Sequence, residues 1–178
     1  MDRGASALPI GSIWLLSLLL LPVGYEARGA VSAAEAKAEF VFRIVQFVDW
    51  DVKSGDKQFE IAVLEDEGFV RVLSKVVRGR EIKGLKISIR RIEESADIGE
   101  ARVVFVPGTN RRTISNFIKG DLRKDLLTLG ESEAFLKAGG MVSIVVSRVG
   151  KIRLASHRET LERAGLKISS KLMRILAR

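Results

Sequence analysis

Side chains that commonly perform catalysis or bind metals are scarce in this sequence. His157 is the single histidine, and the chain has no cysteine, which excludes thiolate catalysis, thiol redox sensing and cysteine-ligated zinc. His157 lies between a predicted strand and a predicted helix, where a histidine more often caps or packs than acts as a general base. Carboxylates cluster at 65–67 and 93–94, but nothing nearby predicts the apolar pocket that would tune one of them for acid–base work. The sequence therefore predicts a protein that is not an enzyme and has neither a cofactor nor a metal site.

The positive charge is concentrated at the C-terminal end of the chain. Residues 148–178 hold nine Lys or Arg and two Glu, so they contribute +7 of the total net charge of +8. Such a basic segment favours an anionic partner: a membrane surface, an acidic glycan or an acidic protein face. No aromatic residue lies among these charges, and single-stranded nucleic acids need aromatic side chains for stacking. Nucleic-acid binding is therefore not expected.

The first 33 residues predict a cleaved export signal. Arg3 precedes an apolar run over 10–23, which is shorter than the roughly 20 apolar residues of a membrane-spanning helix. Small residues follow, as they do before a cleavage site. We expect cleavage after Ala33, with Ala30 as the second choice, so that 34–178 works as a single domain in the periplasm. A retained signal anchor is the alternative.

Strands and helices alternate along the rest of the chain. Apolar periodicity predicts helices over 34–50, 65–77, 110–118 and 132–138, and strands over 59–64, 86–91, 102–106, 126–129, 141–146 and 151–155. The last two strands read as a β-hairpin. This order predicts the α/β class, with a mostly parallel sheet flanked by helices on both faces and a C-terminal β-hairpin.

A long amphipathic C-terminal helix is predicted over 158–177. Its apolar stripe is Leu161, Ala164, Ile168, Leu172 and Ile175. A cationic stripe beside it is Arg163, Lys167, Lys171, Arg174 and Arg178. At about 100° per residue the two stripes occupy adjacent arcs, so the helix should dock by the first and expose the second. A solvated face without a partner is the alternative for the cations.

Three stretches together resemble the YfiR family of bacterial periplasmic proteins. The first is 38–50, which ends in the letters F-V-D-W. The second is 127–132, followed by Phe135 and by 139–142. The third is 150–154, followed by 163–172. Their order and spacing agree with the family across nearly the whole predicted domain.

The resemblance implies a regulator rather than an enzyme. Proteins similar to YfiR repress an inner-membrane diguanylate cyclase by binding its periplasmic sensor portion, which lowers cyclic di-GMP and biofilm formation. The expected partner is therefore an inner-membrane sensor protein of the diguanylate cyclase or kinase type. The resemblance also implies an α/β fold and a homodimer. The family pattern includes cysteines that form disulfides, whereas this chain has none, so redox control does not transfer to it.

Candidate residues for binding a partner or ligand come from these same stretches. They are Trp50, Gly139, Gly140, Arg153, Ser169, Ser170 and Lys171. Trp50 is a candidate partner-facing aromatic, the two glycines allow close backbone approach, and the other four could line a site. Structural roles remain the alternative for each: a core lid, a turn, hairpin pairing or helix capping.

A small-ligand-binding module is the second functional hypothesis. Ligands of parallel α/β sheets bind in the crevice beyond the carboxyl ends of the strands. In this chain the loops 65–68 and 107–110 would border that crevice.

Overall fold

A computed structural model describes residues 32–108, 110–146 and 151–176. The predicted export signal lies outside this part of the chain except for its last two residues, and so does the turn of the predicted hairpin. In chain order the helices and strands are α1 (Ala33–Gln46), β1 (Val48–Asp49), β2 (Phe59–Leu64), α2 (Glu67–Val77), β3 (Glu81–Ile82), β4 (Leu85–Ile92), β5 (Val103–Val106), α3 (Arg111–Ile118), β6 (Leu127–Gly130), α4 (Glu133–Lys137), β7 (Val142–Val146), β8 (Ile152–Ser156), α5 (Arg158–Arg163), β9 (Lys167–Ile168) and α6 (Ser170–Leu176). A short 3-10 helix, Ser95–Ile98, precedes β5.

Seven of the described strands form one sheet in the order β3-β4-β2-β5-β6-β7-β8. The five inner strands β4, β2, β5, β6 and β7 run parallel to one another. The terminal strands β3 and β8 are antiparallel to their neighbours. The predicted α/β class, the mostly parallel sheet and the C-terminal hairpin are therefore confirmed. Strands β1 and β9 form a separate antiparallel pair.

The sheet is buried on both faces. Helices α1 and α2 cover one face, where Phe59, Ile61 and Phe105 belong to the larger apolar cluster. On the other face, α3 and α4 pack against Val104 and Val106 in a second cluster. Side chains alternate between the two faces along each strand, so the central strands read as nearly continuous apolar runs. The prediction of helices on both faces is confirmed.

Polar side chains cap several of the described helices at their N-termini. Ser32, Asp66, Asn110 and Ser132 each accept a hydrogen bond from a backbone N–H in the first turn of the helix that follows. Such caps satisfy donors that the helix itself leaves unpaired. Ser32 belongs to a full capping box with Glu35. Signal cleavage after Ala30 would keep this box, whereas cleavage after Ala33 would remove Ser32.

The prediction of one long C-terminal helix is wrong. Helix α5 ends at Arg163, and Gly165 has a φ of +70°, a left-handed conformation that a continuous helix does not contain. The chain then extends as β9, whose Ile168 pairs with Val48 of β1, before α6 begins. Leu161 and Leu172 are nevertheless both buried in the larger cluster. These two residues of the predicted apolar stripe are therefore core residues, and Ala164 and Ile168 are partly buried against the same cluster.

The first helix is also shorter than predicted. It ends at Gln46 with Phe47 as its C-cap, and the next two residues form β1 instead of a last helical turn. The amide of Ser169 donates to the carbonyl of Phe47 at 2.9 Å. The pairing of β1 with β9 thus ties the end of α1 to the C-terminal segment.

Candidate functional site

Gly139 and Gly140 belong to the turn between α4 and β7. The ring of Phe135 lies so close that a Cβ on Gly140 would be 2.2 Å from it, and one on Gly130 would be 2.3 Å from it. Gly139 has a φ of +107°, and its amide donates to Leu136 in closing α4. The second family-like stretch therefore packs one buried aromatic ring between two glycines. A role in binding for Gly139 and Gly140 stays a prediction.

Trp50 is a buried residue in this structure. Its side chain is 5% exposed, and its indole Nε1–H donates to the carbonyl of Val45 at 2.8 Å. The ring meets Phe59 edge-on, with 5.0 Å between centroids. This placement ties the segment after β1 to the end of α1 and to β2, and the partner-facing role of Trp50 stays a prediction.

Ser169, Ser170 and Lys171 lie together where β9 leads into α6. The Ser169 hydroxyl accepts a hydrogen bond from the amide of Leu172 at 3.3 Å, as an N-cap does. Ser170 and Lys171 are exposed. The ammonium group of Lys171 lies 5.6 Å from the centroid of the Phe47 ring, within the range of a cation–π contact.

Arg153 lies on β8, the terminal strand of the sheet. It is exposed and is paired with Val145, whose 38% exposure is high for a large apolar side chain. Directly opposite residues of an antiparallel pair point to the same face. Arg153 and Val145 therefore share the face that α3 and α4 cover further along the sheet, and Leu154 points to the opposite face.

An apolar groove lies on that opposite face, between α1, β8 and α6. Its volume is about 500 Å³, and its apolar lining is Phe40, Ile44, Phe47, Leu154 and Leu172. Lys171, Arg43 and Glu39 also line it. Arg43 is 3.3 Å from Glu39, which also accepts from Arg80 at 2.9 Å. The carboxylate of Glu39 is thus already matched by two arginines, which leaves the groove positive.

The structure brings some of the predicted site residues together and separates others. Lys171 and the residues before it border the apolar groove, and Arg153 lies on the other face of the strand that forms one side of it. Gly139 and Gly140 precede β7, at the opposite end of that strand from Val145. Trp50 lines a different cavity. Sequence reasoning missed the groove itself.

That second cavity is a polar cleft at the amino ends of the parallel strands. Its volume is about 1020 Å³, and its charged lining includes Asp51, Lys53, Lys57, Glu100, Arg102 and Arg123. These residues directly precede or flank the starts of β2, β5 and β6. The cleft therefore opens at the edge opposite the carboxyl ends, where the sequence had placed a ligand crevice.

Structural contacts hold the walls of the polar cleft. Arg102 donates to the carboxylate of Asp56 at 2.5 Å and to the carbonyl of Asp51 at 2.9 Å. Arg123 donates to the carbonyls of Gly99 and Ala101 at 2.6 and 2.7 Å. Both guanidinium groups are thereby committed to the loops that they fasten.

The loops at the carboxyl edge are likewise committed to structure. Asp66 and Asn110 cap α2 and α3, and Lys37 forms an ion pair with Glu131 at 2.5 Å. The Lys37 ammonium also lies 5.5 Å from the centroid of the Phe69 ring. Of the loops 65–68 and 107–110, which the hypothesis of a ligand crevice places at its border, Asp66 and Asn110 therefore serve as helix caps.

Asp49 shows the clearest electrostatic perturbation beside the polar cleft. Lys83 donates a hydrogen bond to its carboxylate at 2.6 Å, which together with the charges of Lys83 and Lys167 lowers the pKa of Asp49. The side chain is exposed, so this ion pair is screened by solvent. It fastens the β3–β4 hairpin to β1 rather than preparing a carboxylate for chemistry.

Two features are absent from the described part of the chain. No group of three or more His, Asp or Glu side chains there is arranged to hold a metal ion. None of the described helices has the length and apolarity needed to cross a membrane.

Comparison with known proteins gives a family and a fold. The model of the family described as DUF4154, YfiR/HmsC-like, matches residues 34–178. No curated protein sequence matches the chain. A solved structure of a conserved domain protein from Vibrio cholerae O1 biovar El Tor is similar, with a TM-score of 0.51 at 14% identity over 80% of this chain and 58% of that one. At this identity the likeness shows the fold alone.

A second solved structure is the ABC domain in complex with L-Trp from Streptococcus pneumonia. Its TM-score is 0.49 at 11% identity, and the match covers 81% of this chain and 59% of that one. The chain thus spans less than two thirds of the length of either solved structure.

Proposed function

This chain belongs to the YfiR/HmsC-like family, and we propose on that basis that it binds the periplasmic sensor portion of an inner-membrane diguanylate cyclase and represses it. Repression lowers cyclic di-GMP and with it biofilm formation. At the level of the family, the match supports a periplasmic regulator of cyclic di-GMP signalling, and the family is regulatory rather than catalytic. The observation that carries the proposal is the match over 34–178, which is the whole predicted domain.

Repression by a binding protein is a shift of population. A regulator that binds the inactive arrangement of a sensor more tightly than the active one favours the inactive arrangement. Its effect is limited by that difference in affinity, which is typically about 1–3 kcal/mol in coupled systems. Such a mechanism requires a specific surface and no catalytic group.

Charge and apolar surface at the C-terminal end support a protein partner. The apolar groove offers half-buried Phe40 and Phe47, and Lys171 borders it. An acidic sensor surface would be attracted to Lys171 and the other cations of the C-terminal segment over about 8 Å at physiological salt. Anionic lipid headgroups next to the sensor would be attracted in the same way. A homodimer would present two such surfaces to a dimeric sensor.

Deletion of the gene in its own host tests the proposal. We expect intracellular cyclic di-GMP and biofilm to rise, and to fall again when the wild-type gene is restored. A second deletion that removes the partner cyclase should abolish the rise, because the regulator then has nothing to repress. Unchanged cyclic di-GMP in the single deletion, measured by mass spectrometry, would refute the proposal.

A small-ligand-binding module is the second candidate, and the size of the polar cleft favours it. A ligand that binds only the folded state raises the melting temperature. Free amino acids and sugars should be screened against the wild type and a Lys57→Ala variant, since Lys57 lines the cleft and is exposed. Stabilisation of the wild type that is reduced in the variant would support this candidate.

A further inference from the structure

Strand β8 is an open edge of the sheet. It pairs with β7 on one side, and no described strand pairs with its other side. Along Ile152–Ser156, every second residue therefore directs its backbone donor and acceptor outward. Such an edge is a template on which another extended chain can form a ladder of hydrogen bonds.

The opposite edge of the sheet is formed by a short hairpin instead. Strand β3 folds back on β4 through a two-residue turn of Lys83 and Gly84, both at positive φ, which is the tight hairpin turn that matches strand twist. This short, charged hairpin blunts that edge. Among the described residues β8 has no comparable cover.

Cations flank β8 on both faces of the sheet. Leu154 points into the apolar groove that Lys171 also lines. Arg153 points to the other face beside the exposed Val145. A strand added next to β8 would therefore have apolar surface and a positive charge on each of its two faces.

The charge of the C-terminal segment around β8 indicates which kind of partner can bind at this edge. Residues 151–176 contain seven Lys or Arg and two Glu. A second copy of this chain at the same edge would bring two such segments together, and juxtaposed like charges oppose binding. A partner that carries carboxylates is complementary instead.

We propose that β8 accepts an extended acidic segment of the partner as an eighth strand of the sheet. The inference rests on the proposed function, because it states how this chain binds the protein that it represses. Side chains of an added strand alternate between the two faces. Apolar side chains lie beside Leu154 and extend into the apolar groove, and carboxylates lie beside Arg153. Lys171 receives a carboxylate near the end of the segment. Backbone pairing provides affinity and the flanking side chains provide specificity, as in other β-augmentation complexes.

The test uses a synthetic seven-residue peptide in which valine and glutamate alternate, and a control peptide in which lysine replaces glutamate. The protein is expressed from its full reading frame and purified from the cell envelope. We expect the acidic peptide to bind and to slow hydrogen exchange at the amides of 152–156, and the basic peptide to bind at least tenfold more weakly. In the double variant R153E/K171E, affinity for the acidic peptide should fall about tenfold, because the glutamates on the Arg153 face and the carboxylate at the peptide end beside Lys171 then meet like charges.

Lys124→Glu is the matched control for the charge change. Lys124 is exposed in the turn before β6 and borders neither β8 nor the groove, so this variant should bind the acidic peptide as the wild type does. The inference is overturned by equal binding of the two peptides, by unchanged affinity in R153E/K171E, or by binding that leaves β8 unprotected. It is also overturned if β8 in the free protein is already protected in a concentration-dependent way, since a second copy would then occupy the edge.

Failure of this inference can be distinguished from failure of the proposed function. The peptide assay contains no cyclase, so a negative result together with normal cyclic di-GMP control leaves repression in place and moves the contact elsewhere. Peptide binding at β8 together with unchanged cyclic di-GMP after gene deletion would leave the edge site and refute the repressor.

Discussion

Gly140 lies against the ring of Phe135 with no room for a side chain. A Cβ at this position would be 2.2 Å from Cε1 of the ring, a separation that packed carbon atoms do not adopt. The ring is fully buried, so it has no solvent-filled space into which it can move. The contact accounts for glycine at position 140, and the φ of +107° accounts for glycine at position 139.

Gly140→Ala should therefore destabilise the protein by about 1–3 kcal/mol, the usual range for overpacking a well-packed core. Urea denaturation followed by circular dichroism measures the change. Gly55→Ala is the control, because a Cβ there meets nothing within 4 Å, and its effect should stay within about 0.5 kcal/mol. Equal stability of the two variants would show that the turn before β7 relaxes freely.

The sequence predicted local elements well and long-range pairing poorly. The strand over 59–64 is observed where it was predicted, and the helix predicted over 110–118 is observed as Arg111–Ile118 with Asn110 as its N-cap, because apolar runs and capping residues act over a few neighbours. The prediction of one helix over 158–177 failed because the pairing of Ile168 with Val48 depends on a strand far earlier in the chain. The apolar spacing of that segment suits a helix as well as it suits the observed path.

The candidate site was predictable only in part, for the same reason. Arg153 and Lys171 were identified as residue types. That Arg153 lies on one face of β8 and that Lys171, in α6, lies beside the other face follows from strand order and from the packing of α6. Nothing local in the sequence shows that β8 is the last strand of the sheet. The apolar groove likewise requires α1, β8 and α6 to meet, and these elements are distant in the sequence.

Gly165→Ala separates the observed path of the C-terminal segment from the continuous helix. In a helix interior this change stabilises by roughly 0.5–1 kcal/mol. At the observed φ of +70° an alanine is strained, and stability should fall by about 1–2 kcal/mol. The sign of the change in the urea midpoint is therefore decisive, and an increase in stability would contradict the break between α5 and β9.

Glu35 should make stability depend on pH in the acidic range. The hydrogen bond from Lys75, the backbone N–H of Ser32 and the charge of Lys75 lower the pKa of Glu35 below 4.5. A carboxyl whose pKa is lower in the folded state adds stability above its unfolded pKa, and this contribution is lost as pH falls through the folded pKa. Wild type should therefore exceed Glu35→Gln in urea midpoint at pH 7.

That difference should disappear as the pH falls from 4.5 through the lowered pKa, and it should shrink with added salt because the pair is exposed. Asp125→Asn is a control in which a carboxylate is removed elsewhere on the surface. If the difference between wild type and Glu35→Gln persists unchanged in strong acid, the ionised form of Glu35 is not its source.

Variants of Trp50 distinguish a structural role from a partner-facing role. Trp50→Phe keeps an aromatic ring against Phe59 but removes the indole N–H that donates to the carbonyl of Val45. Loss of a buried hydrogen bond of this kind should lower the free energy of unfolding by about 1–2 kcal/mol. Trp50→Ala should lower it by about 3–5 kcal/mol, because it also leaves a cavity. Since the ring is 5% exposed, repression of cyclic di-GMP by Trp50→Phe should match wild type once protein levels are equalised. Lost repression at unchanged stability would instead place the indole in contact with the partner.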